Sequence, residues 1–275
     1  MILSILSNAD AGMITYYVGD DFDHIKHLNN CKLLCKQKFE GLDSVVQVVV
    51  DDPQLEFYKL SHMVKDEYIF HPNGSIYKTG KNCRIHPSAI IGEGVIIGDN
   101  VNIGPNTTIY SKSVIGNDTR IDANCVIGAE GMMWTWENGK KVFLRQLGGV
   151  IIGNECIIGS GCNIVRGSAN ENTIIEDGVN MAPGCCIGHG TFIGEQTHLA
   201  NNVSTGGSSF ISPYSFIGSG AIVSAGVNVL SEDVVLGAGS VITKNVTESG
   251  VYVGSPARRV KSTEGKLKGM PKWRR

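Results

Sequence analysis

Aliphatic residues recur at every sixth position through the second half of the chain. An α-helix would place apolar residues three and four apart, and a half-buried strand would place them at every second position. A period of six fits neither element and is typical of a solenoid of short stacked strands. The anchor positions, all aliphatic except Thr205, are Ile175, Met181, Ile187, Ile193, Leu199, Thr205, Ile211, Ile217, Val223, Val229, Val235 and Val241.

The same period runs through the middle of the chain. It breaks at residues 131–149, where Asn138-Gly139 predicts a hairpin in a protruding loop. A residue is lost between Ala169 and Thr173, where we expect a tightened corner. With three hexads per triangular coil, roughly seven or eight coils would stack. These anchors are Ile85, Ile91, Ile97, Ile103, Ile109, Ile115, Ile121, Ile127, Ile152, Ile158 and Ile164.

The N-terminal segment 1–80 lacks this period and predicts a separate small domain. Short apolar runs at residues 1–6, 14–18 and 45–50 indicate strands. Asp52-Pro53 predicts a helix that begins there, with aspartate as N-cap, and runs to about Met63. We therefore predict a mainly β protein in three parts. They are an N-terminal α/β nucleotide-binding domain (1–80), a parallel β-helix (81–248, with the insertion 131–149) and a basic C-terminal tail (249–275).

Composition excludes some classes of function. The 275 residues include 35 glycines, 42% hydrophobic residues and no apolar run near twenty residues, so no membrane span is expected. The N-terminus lacks the basic segment of a secretory signal, which favours a cytoplasmic protein. A formal charge of -2 argues against nucleic-acid binding. The charge is uneven, because eight Lys or Arg residues follow from Arg258 onward against the single acid Glu264.

The cysteines are predicted to pack in the core and not to bind metal. Cys125, Cys156, Cys162 and Cys185 all stand four residues after an anchor, where other repeats carry Ala, Val, Ser or Thr. A small, half-buried corner position explains them, so we expect no zinc and no other metal cofactor. Free thiols also suit a reducing cytoplasm.

Two histidines occupy outward positions of the hexads. His189 follows anchor Ile187 by two residues, and His198 follows Ile193 by five. His189 and Gly207 are three hexads apart, one whole coil, so they should stack about one strand spacing apart. An imidazole there could take a proton from an attacking amine while the glycine N–H faces an oxyanion. The alternative is a surface histidine beside two glycines at a corner.

The stretch from VIGAEGMMWTWENG to CIGHGTFIG resembles the UDP-3-O-acylglucosamine N-acyltransferases of lipid A synthesis, as do SNADAGMITYYVGDDFDHIKHL and VVVDDPQLEFYKLSHM in the N-terminal domain. The resemblance implies a left-handed β-helix and a homotrimer with active sites between subunits. It also implies that His189 is the general base, that Gly207 supplies the oxyanion N–H, and that Tyr16 and Phe22 hold a uracil ring. Two core aromatics of a small sheet are the alternative for the last pair.

The spacing from His189 to His198 and the ending YVGSPARR are similar to nucleotide-sugar N-acetyltransferases that use acetyl-CoA. This second resemblance implies that His198 contacts the acyl donor. Arginine suits phosphate, so Arg258, Arg259 and Lys261 are candidates for the coenzyme A phosphates, with a solvated basic tail as the alternative. Trp134 is a candidate for lining the acyl or sugar pocket, although a loop docking on a neighbouring subunit would need the same residue. Glu171 could stand one coil before His189 and orient it.

Some residues depart from the lipid A family. Ala182 and Pro183 stand where those enzymes carry an Asp-Asn pair that holds the glucosamine, and Asp21 replaces a lysine. We therefore predict an N-acyltransferase that moves an acyl group from acetyl-CoA or a short 3-hydroxyacyl-CoA to a dTDP- or UDP-linked amino sugar for a surface glycan. One alternative is a lipid A N-acyltransferase that uses acyl carrier protein. Another is a non-catalytic trimeric β-solenoid for binding or assembly.

Overall fold

The structure is a computed structural model that describes residues 1–64 and 76–263. The described chain forms two compact units. The first contains residues 1–64, 130–148 and 167–171, and the second contains the rest. In the described ranges no helix is both long and apolar enough to cross a membrane.

The first unit contains a small parallel sheet whose four strands follow chain order. The strands are Ile2–Leu3, Met13–Tyr16, Lys32–Cys35 and Val46–Val49, with 3₁₀ turns at Leu6–Asn8 and Phe22–His24 and one α-helix at Pro53–Ser61. Asp52 caps that helix, because its Oδ1 accepts the N–H of Leu55 at 3.0 Å. Proline in the first turn loses no helical hydrogen bond, so the helix begins where the sequence predicts.

The predicted hairpin is present and belongs to the first unit. Its strands, Met133–Glu137 and Lys140–Leu144, join at Asn138 and Gly139, which both adopt positive φ as a tight hairpin turn requires. One face of the hairpin, with Met133, Val142 and Leu144, packs in the same apolar cluster as Phe57 and Tyr58. The insertion is therefore packed against the helix of the first unit and is not a free loop.

The second unit is a parallel β-helix with three sheets. Sheet 1 contains Lys78–Thr79, Ile96–Ile97, Ser113–Ile115, Gly149–Ile152, Asn172–Ile175, Phe192–Ile193, Phe210–Ile211 and Asn228–Val229. Sheet 2 contains Arg84–Ile85, Asn102–Ile103, Arg120–Ile121, Ile157–Ile158, Asn180–Met181, His198–Leu199, Phe216–Ile217, Val234–Leu236, Gly250–Gly254 and Ala257–Lys261. Sheet 3 contains Ile90–Ile91, Thr108–Ile109, Val126–Ala129, Asn163–Val165, Cys186–Ile187, Ser204–Thr205, Ile222–Val223 and Val241–Ile242.

The anchors form the core of the β-helix. Anchors one coil apart are direct register partners, as Ile109 is of Ile127 and Ile193 is of Ile211. Burying an isoleucine contributes on the order of 1.5–3 kcal/mol, so the column supplies most of the driving force for stacking. The four corner cysteines are also buried in this core. Burial raises the pKa of Cys125 and of Cys156 to about 11, which keeps both thiols protonated.

The break near Ala169 differs from the expected tightened corner. Ile152 pairs with Ile175, whereas a regular coil pairs Ile109 with Ile127, so this coil is five residues longer than a regular one. The added residues, 167–171, leave the β-helix and belong to the first unit. The expectation of a lost residue was wrong because residue counting between anchors does not distinguish a shortened corner from an added segment.

The anchor pattern also shifts by one residue after Val229. Ile217 pairs with Leu236, one position beyond the regular partner, because an extra residue enters the turn at Ser231–Asp233, where Asp233 adopts positive φ. Since side chains alternate between the two faces of a strand, this insertion turns Leu236 and Ile242 inward. Val235 and Val241, the predicted last anchors, are half-buried instead.

Side-chain amides and carboxylates line the corner that follows sheet 1. There the backbone N–H of one coil donates to a side chain of the next coil. Lys81 N–H donates to Asp99 Oδ1 at 2.6 Å, Asp99 N–H to Asn117 Oδ1 at 2.8 Å, and Asn117 N–H to Asn154 Oδ1 at 2.8 Å. Each coil thus supplies acceptors for backbone donors of its predecessor, and these hydrogen bonds join successive coils at an exposed corner.

The predicted C-terminal tail begins as regular structure. Gly250–Gly254 extends sheet 2, and Ala257–Lys261 pairs with it as an antiparallel hairpin. The remainder of the predicted basic tail, residues 264–275, lies outside the described residues.

Candidate active site

His189 lies directly against the backbone of Gly207. A Cβ atom added to Gly207 would be 2.1 Å from Nε2 and 2.5 Å from Cδ2 of His189, so a side chain there would collide with the imidazole. The paired anchors Ile187 and Thr205, two residues earlier in each case, fix this register. The spacing of one whole coil therefore predicts the contact correctly. Glycine is needed for this close approach and not for backbone conformation, since Gly207 does not adopt positive φ.

The N–H of Gly207 donates to no acceptor in the described part of the chain. In the corner after sheet 1, a carboxylate or amide side chain of the next coil accepts the equivalent N–H. Here the next coil presents Ala225, whose methyl side chain carries no acceptor and lies over Gly206. A backbone donor and an imidazole nitrogen thus lie side by side, which is the pairing that acyl transfer needs.

His198 lies on a different side of the β-helix. It projects outward from sheet 2, in register between Asn180 and Phe216, and its ring stacks on Phe216 with centroids 5.3 Å apart. Burial lowers the pKa of His198. His189 stands at the corner between sheets 3 and 1, and this corner is opposite sheet 2. His189 and His198 of one chain therefore do not meet.

The structure places Tyr16 and Phe22 in different surroundings within the first unit. The ring of Tyr16 packs on Phe57 with centroids 4.9 Å apart, and burial raises the pKa of its hydroxyl. Phe22 is exposed and begins a 3₁₀ turn capped by Asp21, whose Oδ1 accepts the N–H of Asp23 at 3.0 Å. No ring contact joins Tyr16 to Phe22 in the described chain. Tyr16 is thus a core aromatic on one side, while Phe22 is available for contact with a ligand.

Trp134 lies on the outer face of the hairpin. It meets Trp136 edge-on with centroids 5.0 Å apart, and Lys141 Nζ stands 4.4 Å from the Trp134 ring centroid. Phe143 is the direct partner of Trp134 in the hairpin and is also exposed. The two tryptophans therefore form an exposed aromatic surface with a cation above it, a contact that is favourable for flat or apolar groups.

The basic residues of the C-terminal hairpin differ in their engagement. Arg259 Nη1 pairs with Glu248 Oε2 at 3.1 Å, and Arg259 Nε donates to the Ser249 carbonyl at 2.9 Å. Arg258 Nη1 donates to the carbonyl of Ala257, and both Arg258 and Lys261 are exposed. Arg258 and Lys261 are thus better placed to contact an anion, whereas Arg259 holds the hairpin.

The role predicted for Glu171, to orient His189, stays a prediction. Counted forward from the paired anchors Ile164 and Ile187, the residue one coil before His189 is Arg166. Arg166 is fully buried, and its Nη2 donates to the Ser111 carbonyl at 2.7 Å. Glu171 belongs to the segment 167–171, where its Oε1 accepts the N–H of Ser168 at 3.0 Å. Counted back from the paired residues Ile174 and Phe192, the residue one coil before His189 is Glu171, because the five added residues lie between the two counts.

Two surface cavities lie apart from this contact. A cavity of about 350 Å³ is bordered by Arg84, His86, Arg120 and Asp122, and one of about 310 Å³ by Glu176, Asp177 and Glu195. Neither of these two cavities is lined by His189 or Gly207. Within the described ranges, no group of three or more His, Cys, Asp or Glu side chains could hold a metal ion.

Comparison with known proteins decides the family. The profile described as "Bacterial transferase hexapeptide (six repeats)" matches residues 77–111. The UDP-3-O-acylglucosamine N-acyltransferase of Coxiella burnetii is 30% identical over 281 residues, which cover 91% of this chain and 80% of that protein. The chain belongs to the UDP-3-O-acylglucosamine N-acyltransferase family. The enzyme of the same name from Delftia acidovorans is 42% identical over 129 residues, 47% of this chain and only 38% of that protein.

Solved structures confirm the predicted fold of this family member. The UDP-N-acetylglucosamine acyltransferase from Campylobacter jejuni superposes with a TM-score of 0.61 at 23% identity, covering 69% of this chain and 73% of that one. The corresponding enzyme from Arabidopsis gives 0.51 at 22% identity, covering 72% and 73%. The chain is therefore a left-handed parallel β-helix with a small N-terminal α/β part.

Within the family, the departure at Ala182 and Pro183 has a clear location. Both residues follow Met181 at the corner after sheet 2, and Pro183 is exposed. Neither side chain can form the hydrogen bonds of an Asp-Asn pair.

Sequence reasoning also missed the threonines around His189. The available signal was Thr205 itself, the single polar residue in a column of aliphatic anchors.

Proposed function

We propose that this chain transfers an acyl group to the amine of a UDP-linked amino sugar, with His189 as general base and the N–H of Gly207 as oxyanion donor. One observation carries the proposal: the imidazole of His189 lies against the backbone of Gly207, whose N–H has no acceptor in the described residues. Family membership supports acyl transfer to a nucleotide sugar.

In the reaction, the amine nitrogen attacks the carbonyl carbon of a thioester. His189 takes the amine proton as the C–N bond forms, and the oxyanion accepts a hydrogen bond from Gly207 N–H. The oxyanion then collapses, the C–S bond breaks, and the proton passes from His189 to the departing thiolate. The products are an amide and a thiol, and no covalent enzyme intermediate is needed.

For the acceptor, the relatives favour our first alternative over our main prediction. The matched family members are named for UDP-3-O-acylglucosamine, so we propose this sugar or a close analogue ahead of a dTDP-linked sugar. Trp134 and Phe22 are exposed in the first unit and are candidate contacts for the acyl chain and the base. A flat aromatic ring is a favourable contact for a pyrimidine.

A second candidate keeps coenzyme A as donor and a different amino sugar as acceptor. Two features favour it: Ala182 and Pro183 cannot bind glucosamine as the Asp-Asn pair would, and Arg258 and Lys261 are exposed cations suited to phosphate. Acyl carrier protein and acyl-CoA thus remain competing donors, and an acetyl or 3-hydroxyacyl group is compatible with either.

We propose a homotrimer because one chain separates His189 from His198. If His198 contacts the donor at the site of His189, it must come from sheet 2 of a second copy of the chain. An outward apolar row on sheet 1 is also suited to burial against that copy. The row, in strand register, is Ile96, Val114, Ile151, Ile174, Phe192 and Phe210. A cytoplasmic location, which eight free cysteines suit, stays a prediction.

The test is a matrix of donors and acceptors with the purified chain. Acetyl-CoA, a 3-hydroxyacyl-CoA and a 3-hydroxyacyl carrier protein are each paired with UDP-3-O-acylglucosamine, a UDP-linked deoxyamino sugar and a dTDP-linked deoxyamino sugar. Thiol release and the mass of the amide product identify the pair that reacts. Absence of turnover with every pair would reject the enzyme and favour the non-catalytic solenoid.

A further inference from the structure

Threonine hydroxyls hold the peptide groups on both sides of His189. The N–H of Gly188 is shared between the carbonyl oxygen and Oγ1 of Thr205, each at 3.1 Å, and the N–H of Gly190 donates to Thr173 Oγ1 at 2.9 Å. Thr173 belongs to the preceding coil and Thr205 to the following one. His189 is thus fixed from both neighbouring coils through the backbone on either side of it.

A third threonine connects this arrangement to the oxyanion donor. Thr191 Oγ1 lies 3.3 Å from Thr205 Oγ1 and donates to the Gly206 carbonyl at 3.2 Å. Because the single proton of Thr191 goes to that carbonyl, the proton between the two threonines comes from Thr205. A continuous chain therefore runs from Gly188 N–H through Thr205 and Thr191 to the Gly206 oxygen.

The Gly206 oxygen and the Gly207 N–H belong to one peptide group. A trans peptide is planar, with its C=O and N–H directed to opposite sides. Thr191 and Ser209, which also donates to Gly206 O at 2.8 Å, are buried and hold the carbonyl inward. The N–H of Gly207 must then point away from them. Hydrogen bonds to the oxygen also polarise the peptide and strengthen the N–H as a donor.

Thr205 occupies a position where packing alone favours an aliphatic residue. Its register partners Ile187 and Val223 are buried aliphatic anchors. A hydroxyl in such a column is tolerated only when it is hydrogen-bonded, as it is here. Valine has nearly the same shape and would restore the aliphatic column. The presence of threonine is therefore explained by what its hydroxyl holds.

We propose that Thr191 and Thr205 are positioning residues for acyl transfer, which set the His189 imidazole and aim the Gly207 N–H through one shared hydrogen-bond chain. The proposal rests on the proposed function. Neither threonine touches the reacting groups, and both act through backbone. Because the chain is continuous, breaking it at either threonine has the same consequence, so the two losses are not additive.

The experiment compares Thr191→Val, Thr205→Val and the double variant with wild type, using UDP-3-O-acylglucosamine and whichever thioester donor the wild type turns over. We expect kcat to fall about tenfold or more in each single variant, little change in KM, and no further loss in the double variant. Thr191→Ser and Thr205→Ser keep a hydroxyl and should recover most of the lost kcat. Tm should stay level or rise in Thr205→Val.

Thr119→Val is the matched control. Thr119 is also fully buried, accepts the N–H of Cys156 at 3.1 Å and donates to the Gly153 carbonyl at 2.8 Å, in coils that do not contain His189. Equal kcat in Thr205→Val and Thr119→Val would overturn the inference, as would a loss that serine does not rescue. If the wild type transfers no acyl group, the proposed function itself is wrong. If the wild type is active and the threonine variants match the control, only the role of the threonines is wrong.

Discussion

The imidazole of His198 lies parallel to the ring of Phe216, with an interplanar angle of 5°. Phe192 and Phe210 adopt the same arrangement on sheet 1, with centroids 4.8 Å apart and an interplanar angle of 5°. A phenylalanine can therefore replace this histidine without a change in stacking. Since the ring of His198 is partly buried, its protonation state affects the free energy of unfolding.

His198→Phe is expected to remove a pH dependence of stability. Burial lowers the pKa of His198 below its ordinary value of 6.5, so the unfolded chain binds the proton more tightly than the folded one. Stability from this residue is full above about pH 6.5 and falls as pH drops toward the lowered pKa. Thermal unfolding of both proteins from pH 8 to pH 5 measures this. The Tm difference between variant and wild type should grow below about pH 6.5, and a constant difference would contradict it.

Gly207→Ala should displace His189, because the new Cβ would collide with the imidazole. We expect kcat/KM to fall by about 10² or more, the usual size of a lost base or oxyanion contact. The assay is initial-rate thiol release. Gly220→Asn is the control, since Gly220 has positive φ and open space around its Cβ, and asparagines at other corners adopt the same φ. Full activity of Gly207→Ala would show that the contact has no role in the reaction.

His189→Ala should reduce kcat/KM by about 10² or more with little effect on Tm, because the half-buried ring adds little to the core. Steady-state kinetics and a thermal melt test both parts. His86→Ala, at an exposed histidine elsewhere in the β-helix, should leave the rate unchanged. A loss below tenfold would reject His189 as the base and leave Gly207 as the principal contributor.

Leu236→Ala and Val235→Ala test the register after the insertion at Asp233. Leu236 is fully buried, so its truncation should cost about 2–5 kcal/mol of unfolding free energy. Val235 faces outward and is half-buried, so its truncation should cost about 1 kcal/mol or less. Equilibrium denaturation gives both values. A larger loss of unfolding free energy in Val235→Ala than in Leu236→Ala would contradict the shift and support the uninterrupted six-residue pattern that the sequence suggests.

The sequence predicts the β-helix and the contact between His189 and Gly207 because both follow from one period. Every aliphatic anchor from Ile91 to Val229 is buried as the period requires. The shift after Val229 could not be predicted, since Val234, Val235 and Leu236 are all apolar and any of them could face inward. The packing of residues 167–171 could not be predicted either, because the spacing gives the number of added residues and not where they pack.

Other features depend on details finer than a repeat pattern. Tyr16 ends its strand and Tyr17 follows it, and the two rings pack in different apolar clusters, but the sequence does not say which of them meets the helix. The threonine chain was missed for a similar reason. From the sequence, Thr205 is a weak anchor and Thr191 is one more small residue four positions after an anchor, and only the distances between their hydroxyls show that they are connected.

Apart from the C-terminal hairpin, the described strands in each sheet of the β-helix pair with neighbours one coil away. The fold thus behaves as a one-dimensional stack, in which opening spreads from an exposed end and loses one interface at a time. Within sheet 3, the strands Ile222–Val223 and Val241–Ile242 follow Ser204–Thr205, the strand that leads to Gly207, and Val241–Ile242 is the last described strand of that sheet. Fraying from that end must release two coils before it disturbs the corner that contains His189 and Gly207. Backbone amides near His189 should accordingly exchange with solvent far more slowly than those of the final coil.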